Sequence, residues 1–245
     1  MKHMIIFIIF LFPVVVMAEG DYQGLWMGQI EVTDVSESTD YASPKPVKHS
    51  FDMTILLHVN KNNDVNLLRH VTIMHNTETD QRALITDDSL LTNSKYVGFV
   101  DKNDGKKGGI RLGTLAFGFS PYTTTVTDTT TNPSSTTTIK EKTRMKMDGI
   151  ISKGQNISCS LELGSTHATN PFKHSYHPDH KKGKNITRNI TLIFDEEQTY
   201  NDPDNEKFSL SGLYKEEISG LHKNPIIVAG KFTIQRVSKV DTLND

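Results

Sequence analysis

Residues 47–59 read VKHSFDMTILLHV, and polar and apolar side chains alternate along this stretch. Side chains that alternate with a period of two point to opposite faces of a β-strand, whereas a helix needs a period of 3.6 residues. The apolar face carries Val47, Phe51, Met53, Ile55, Leu57 and Val59, and the opposite face carries Lys48, Ser50, Asp52 and Thr54. The stretch therefore predicts a long strand with one face in the core.

The same alternation recurs on both sides of this strand. After the turn-rich residues 60–64, Val65, Leu67, Val71 and Ile73 continue on one face, which predicts a hairpin. Alternating segments recur as far as residue 237, and no long stretch keeps a helical period. The chain is therefore predicted to be all-β, with about ten strands in an antiparallel β-barrel or, as the alternative, a β-sandwich.

Residues 1–18 have the composition of a signal peptide. Lys2 precedes an apolar run over residues 4–17, and the last three residues of the segment fit the small-residue rule for cleavage before Glu19. The run is short for a membrane span and no second one follows, so no transmembrane segment is expected after cleavage. Export would place the mature chain in the periplasm or in the extracellular medium.

Residues 19–245 are predicted to form a single all-β domain, because no Pro-rich or Gly/Ser-rich linker divides them. Cys159 is the only cysteine, so no intramolecular disulfide can form, and its alternation with Ile157 and Leu161 places it on a buried strand face. Cleavage would change the formal charge from −2 to −3. This charge is too close to neutral to indicate nucleic acid as a partner.

Two segments are predicted to be insertions at the surface. The threonine-rich run over residues 123–138 has little to bury and is expected to be a mobile loop or a frayed hairpin. The histidine-rich run over residues 170–183 contains a proline that disfavours a helix, so it is predicted to be a loop.

The loop over residues 170–183 concentrates the side chains that can do chemistry. Three of the ten histidines, His174, His177 and His180, occur there at three-residue spacing. Pro178-Asp179 favours a β-turn, which brings the Cα atoms of His177 and His180 within about 7 Å. Together with His174, these imidazoles could bind zinc or another divalent metal. In the alternative interpretation, the loop is a structural connection anchored by its aromatic residues, and its histidines bind no metal.

Alternation also places four charged side chains on core faces, namely those of Arg69, Arg188, Glu216 and Arg236. A buried charge needs a partner. We expect these groups to converge at one polar end of the barrel cavity, where the arginines would hold the carboxylate or phosphate of a small ligand and Glu216 would balance one of them. In the alternative interpretation, they lie near strand ends, reach solvent, pair with each other, or are turned outward by a β-bulge.

The two ends of the chain predict how the barrel closes. Gly24-Leu25-Trp26-Met27-Gly28 opens the first strand, and Arg236 lies on the core face of the last strand. If these strands pair, the Arg236 guanidinium lies within about 6 Å of the Trp26 ring. A Gly-x-Trp motif with a late arginine resembles the closure of lipocalins and other calycins, and this resemblance implies a lipocalin-like or calycin-like barrel.

Longer motifs resemble an uncharacterised module of exported bacterial proteins. These motifs are GLWMG at residues 24–28, NPFKHSYHPDH at residues 170–180 and GLHKNPI at residues 220–226. The resemblance implies a bacterial, exported origin and carries no activity with it.

We favour an exported, non-enzymatic β-barrel module that binds an unknown small molecule or cell-surface partner, or has a structural role. The alternative is a divalent-metal-binding protein or a metal-dependent hydrolase centred on the histidine loop. The hydrolase lacks an identifiable general base, and the sequence contains neither a Gly-x-Ser-x-Gly motif nor a phosphate-binding glycine loop.

Overall fold

The computed structural model describes residues 22–37, 43–76, 78–99, 109–117, 123–128, 135–140, 144–167, 170, 172, 183–196 and 208–244. The predicted signal peptide, residues 1–18, lies outside these ranges, and so do His174, His177 and His180.

The described residues form fourteen strands and two short 3-10 helices, Asp88–Thr92 and Ser94–Phe99. The strands are β1 (Gly24–Val35), β2 (Lys45–Val59), β3 (Val65–Leu68), β4 (His70–Asn76), β5 (Gln81–Ile85), β6 (Gly109–Gly113), β7 (Thr123–Asp128), β8 (Ser135–Lys140), β9 (Arg144–Gly149), β10 (Asn156–Leu163), β11 (Ile186–Phe194), β12 (Ser209–Ser219), β13 (Ile226–Ser238) and β14 (Leu243–Asn244).

Eight of these strands close into an antiparallel barrel in the order β1-β13-β12-β11-β10-β9-β3-β2, and β2 pairs back with β1. The predicted all-β antiparallel barrel is therefore confirmed, and the β-sandwich alternative is wrong. We call the end where β1 ends and β11 begins the upper end. The lower end is where β1 begins and β13 ends.

Alternation along the barrel strands fills the interior with apolar side chains. On β10, Ile157, Cys159, Leu161 and Leu163 are buried and belong to the main core. Trp26 is fully buried in the same core. Because these side chains interdigitate across the lumen, the barrel is held by a packed core that needs no disulfide.

A second sheet packs on the outside of the barrel, in the order β14-β5-β4-β6. One of its faces forms an apolar layer with the outer wall of β1, β2 and β3. This layer contains Leu25, Leu56, Leu68, Val71, Leu84 and Leu243. The other face of the sheet is covered by the 3-10 helices, through a smaller cluster around Met74, Ile85 and Tyr96.

The prediction that Leu67 and Val71 continue on one face is wrong. Leu67 belongs to the barrel core, whereas Val71 belongs to the layer between the barrel and the outer sheet. The chain bends at Arg69, between β3 and β4, and passes from the barrel into the outer sheet. A bend interrupts period-two alternation, so the faces before and after it are unrelated.

Within the threonine-rich run, for which the sequence predicts a loop or a frayed hairpin, β7 and β8 form a separate two-stranded antiparallel sheet. The pairing runs from Thr123 opposite Lys140 to Asp128 opposite Ser135.

Across the described ranges, no helix combines the length and the apolar character that a membrane crossing needs.

Candidate functional site

An ion pair lies inside the barrel towards its upper end, between Arg188 on β11 and Glu216 on β12. The Arg188 Nε donates to one carboxylate oxygen of Glu216, and the Tyr214 hydroxyl donates to the other. The side chains of Arg188 and Glu216 are 12% and 3% exposed, respectively. Each carboxylate oxygen therefore has a donor, and the two buried charges compensate each other.

Burial near this pair keeps the Tyr214 hydroxyl and the Cys159 thiol protonated. Desolvation, followed by the negative charge of Glu216, raises the pKa of the Tyr214 hydroxyl, so the hydroxyl stays protonated and acts as a donor. Desolvation also raises the pKa of the Cys159 thiol to about 12, although the charge of Arg188 opposes this shift. At neutral pH the thiol is therefore protonated, and a protonated thiol is a poor nucleophile.

Residues 114–117, which we call the plug, follow β6 and place the Phe117 side chain in the barrel core, whereas Leu115 is exposed. Thr114 is tied to the barrel wall, because its N–H donates to the Arg69 carbonyl at 2.9 Å and its hydroxyl donates to the Thr54 carbonyl at 2.5 Å. The Arg188 Nη1 donates to the Ala116 carbonyl at 2.6 Å.

The aromatic ring of the plug completes the cover over the ion pair. Phe117 is fully buried in the barrel core, and the Arg188 Cζ lies 5.5 Å from its ring centroid. The plug therefore occupies the place beside Arg188 where a small anionic ligand was expected, and it presents a carbonyl and a ring to this guanidinium.

Arg236 lies at the lower end of the barrel, opposite Trp26 in the pairing of β1 and β13. Its Cζ is 5.8 Å from the Trp26 ring centroid and 5.6 Å from that of Phe208, and its Nη1 donates to the Gln23 carbonyl at 3.5 Å. The predicted contact between Trp26 and Arg236 is therefore confirmed.

The expectation that Arg236 approaches Glu216 is wrong. Glu216 lies opposite Val228, and Arg236 is eight residues further along β13. At about 3.3 Å per residue this separation is about 26 Å along the strand. Alternation gives the face of the barrel on which a side chain lies, but it does not give the height along the barrel axis.

Arg69 is half-buried in the bend between β3 and β4, where its carbonyl accepts the Thr114 N–H. Three barrel strands separate β3 from β12, which carries Glu216. Of the four charged residues expected to converge, the structure brings only Arg188 and Glu216 together.

Asn170 clamps together the two ends of the histidine loop, next to β10 and β11. Its side-chain Nδ2 lies within hydrogen-bond distance of the carbonyls of Leu163, Gly164 and Lys184, at 3.3, 2.9 and 2.7 Å. Its Oδ1 accepts the Phe172 N–H at 2.8 Å, and Phe172 packs against the barrel core. The two strands that flank the loop are thereby held together at the upper end.

Residues 239–244, which we call the crossing segment, run from the lower end of β13 to the outer sheet. The Val240 carbonyl lies 3.1 Å from the Nε2 of His58, which is 1% exposed on the outer wall of β2. Burial lowers the pKa of His58 to about 4, so the imidazole is neutral and donates to this carbonyl. Beyond Val240, Leu243 and Asn244 pair in parallel with β5.

Two cavities border the crossing segment, with volumes of about 490 and about 410 Å3. They share Arg82 and Val240, and we call them together the outer groove. The first cavity is also lined by Asp80, Arg236 and Lys239, and the second by Lys95, Tyr96 and Phe99. Four cations and one carboxylate thus line the outer groove.

The outer groove does not follow from a sequence interpretation in which every strand has a single buried face. Ile55, Leu56 and Leu57 are consecutive apolar residues, and so are Leu67 and Leu68. A strand that is apolar on both sides is typical of burial on both faces. This signal could have predicted a second layer outside the barrel, although it would not have identified β5 and the crossing segment as the partners.

The described ranges contain no group of three His, Cys, Asp or Glu side chains that could hold a metal ion. The three candidate histidines lie outside those ranges.

No family model matches the sequence, and no curated protein matches it. Among solved structures, the chain is similar to the monomer form of the M. tuberculosis PknI sensor domain, with 7% identity over 89% of each chain and a TM-score of 0.30. At this TM-score the likeness supports neither a shared fold nor a shared function.

Proposed function

We propose that this chain is an exported, non-enzymatic β-barrel module that binds its ligand or partner in the outer groove. The observation that carries the proposal is the pair of adjoining cavities that share Arg82 and Val240. Their volumes fall within the range of about 300 to 1,000 Å3 that is typical of ligand sites. The predicted signal peptide supports export to the periplasm or the extracellular medium.

The state of the barrel interior supports binding outside the barrel. Trp26, Phe117, Tyr214 and Phe232 are the largest of the fully buried side chains, and all four belong to the barrel core. Arg188 already has Glu216 and the Ala116 carbonyl as acceptors. A ligand at this position would have to displace the plug and would expose Phe117 to water.

The chemistry of the buried groups supports a non-enzymatic role. Glu216 is held between an arginine and a tyrosine, so both of its carboxylate oxygens are already engaged within the protein. Cys159 is a protonated thiol on a packed strand face.

Amide chemical shifts test where ligands bind. The isotope-labelled mature protein would be titrated with phenyl phosphate, benzoate, phenyl glucoside and benzylamine, which share a ring and differ in the attached group. We expect at least one probe to shift the amides of Arg82 and Val240. Shifts confined to the upper end, around Ala116 and Arg188, or no shifts with any probe, would contradict the proposal.

The second candidate is divalent-metal binding by His174, His177 and His180, which a metal-dependent hydrolase would also require. The clamp at Asn170 supports this candidate, because it fixes both ends of the loop on the barrel. When the two ends of the loop are already fixed, the loop loses less conformational entropy as its histidines converge on a metal ion.

A further inference from the structure

We infer that the outer groove binds a phosphate group carried on an apolar or aromatic substituent. The phosphate would lie between Arg82 and Lys239, and the substituent would extend along Val240 towards Tyr96 and Phe99. This inference rests on the proposed binding function and specifies the ligand class of the same site.

The first support is the charge of the outer groove. In the part of the chain that the structure describes, neither Arg82 nor Lys239 has an ion-pair or hydrogen-bond partner for its side chain. The one lining carboxylate, Asp80, is already bonded to His75 Nε2 at 2.7 Å. Since the formal charge of the whole chain is −2, the positive charge of the groove is a local concentration.

Several cations elsewhere on the described surface do have carboxylate partners. Arg111 contacts Asp88 at 2.8 Å, and Lys146 contacts Asp64 at 2.9 Å. Two cations that face one groove without such partners repel each other, and an anion bound between them would relieve the repulsion.

The second support is the type of the two cations. The planar guanidinium of Arg82 can donate two parallel hydrogen bonds to the oxygens of one phosphate, and the ammonium of Lys239, which lines the same cavity, supplies a point charge. A phosphate monoester carries between one and two negative charges at neutral pH, so it suits two cations better than a single carboxylate does.

The third support is the pair of aromatic rings that line the second cavity. Tyr96 and Phe99 lie against each other with ring centroids 5.8 Å apart, and both line this cavity. The Lys95 Nζ lies 5.4 Å from the Tyr96 ring centroid and donates to Asn244 Oδ1 at 3.3 Å, so it joins the helix to the crossing segment. An apolar substituent beside the phosphate would contact these rings.

Calorimetric titration with phenyl phosphate tests the inference on the mature, full-length protein. The variants are Arg82→Gln, Lys239→Gln and the double variant. The matched control is Lys231→Gln, which removes one charge from an exposed position on β13 opposite Glu31. Circular dichroism would check that each variant is folded.

We expect each groove variant to weaken binding of phenyl phosphate by about tenfold or more, because each removes a charged donor. The control should bind like the unmodified protein, and added salt should weaken binding. Equal affinity in the double variant and the control would overturn the inference, and so would phenol binding as tightly as phenyl phosphate.

Two further arms identify the source of the phosphate. Flotation would measure binding to phosphatidylcholine vesicles with and without phosphatidic acid. Binding that needs phosphatidic acid and is lost in the double variant assigns a lipid headgroup, whereas binding of phenyl phosphate alone assigns a soluble ligand. Benzoate or phenyl glucoside could shift the groove amides while the affinity for phenyl phosphate is the same with and without Arg82 and Lys239. In that case the proposed ligand class is wrong, and the proposed binding function still holds.

Discussion

The Arg236 guanidinium lies 5.8 Å from the Trp26 ring, at the point where the last strand of the barrel pairs with the first. The only tryptophan of the chain thus lies at the closure of the barrel. The backbone there is close-packed as well, because a Cβ on Gly24, whose φ is +119°, would lie 2.1 Å from the Ser238 carbonyl oxygen. Only glycine fits this position.

Removal of the tryptophan ring should destabilise the protein strongly. Trp26→Ala is expected to lower the free energy of unfolding in urea by about 3 to 5 kcal/mol, because it leaves a cavity in the core. A double-mutant cycle with Trp26→Leu and Arg236→Met should give a coupling energy of about 1 kcal/mol for the cation–π contact. Additive effects of the two changes would contradict the contact, and Lys231→Met on the same strand is the control.

The buried ion pair yields a second stability prediction. Glu216→Gln removes the charge that compensates Arg188, so we expect a loss of about 3 to 5 kcal/mol in the free energy of unfolding. The double variant Arg188→Met/Glu216→Leu should be less destabilised than Glu216→Gln, because neither buried charge is left. The exposed pair Lys45–Glu37 is the control, since Lys45→Met there should cost less than about 1 kcal/mol. If Glu216→Gln had as small an effect as this control, the pair would not be buried.

Because the His58 imidazole is buried, we expect the free energy of unfolding to depend on pH. The pKa of His58 is about 4 in the folded protein, against the ordinary 6.5 of a histidine in an unfolded chain, so the unfolded chain binds the proton more tightly. The stabilisation from the neutral imidazole is therefore complete above pH 6.5 and is lost as the pH falls towards 4. The difference corresponds to roughly 3 kcal/mol.

The measurement is urea unfolding of the unmodified protein and of His58→Gln between pH 7 and pH 4. The variant keeps a donor for the Val240 carbonyl and cannot titrate, so its stability should fall less with pH. The charges of Arg144 and Asp241, which act on His58 in opposite directions, are the same in both proteins, as is His70, whose pKa burial also lowers. Parallel curves for the two proteins would show that His58 is not buried against the crossing segment.

The histidine loop predicts metal binding that depends on neutral imidazole. Calorimetry of the untagged protein with zinc near neutral pH should show binding that is lost in the His177→Ala/His180→Ala variant. The affinity should fall steeply below about pH 6.5, where the imidazoles are protonated. Identical weak binding by both proteins would make the loop a structural connection and would remove the support for a hydrolase.

The barrel could be predicted from the sequence because alternation reports directly which side chains face the core. The contact between Trp26 and Arg236 could be predicted for the same reason, since closure brings the first and last strands together. The pair between Arg188 and Glu216 joins neighbouring strands at similar heights.

The positions of Arg236 and Arg69 and the outer groove depend on information that alternation does not carry. Arg236 and Glu216 share the core face but lie at different heights on it. Arg69 lies in a bend, which interrupts the alternation from which its face was predicted. The outer groove is formed by residues far apart in the chain, as when Leu243 pairs with Leu84, and no local pattern predicts such a pairing.

The most direct test of the account is a crystal structure of the mature protein with phenyl phosphate bound. The account predicts phosphate density between the Arg82 guanidinium and the Lys239 ammonium, with the phenyl ring on the side of Tyr96 and the plug still against Arg188. Phosphate density inside the barrel at Arg188, with Ala116 and Phe117 displaced, would contradict it.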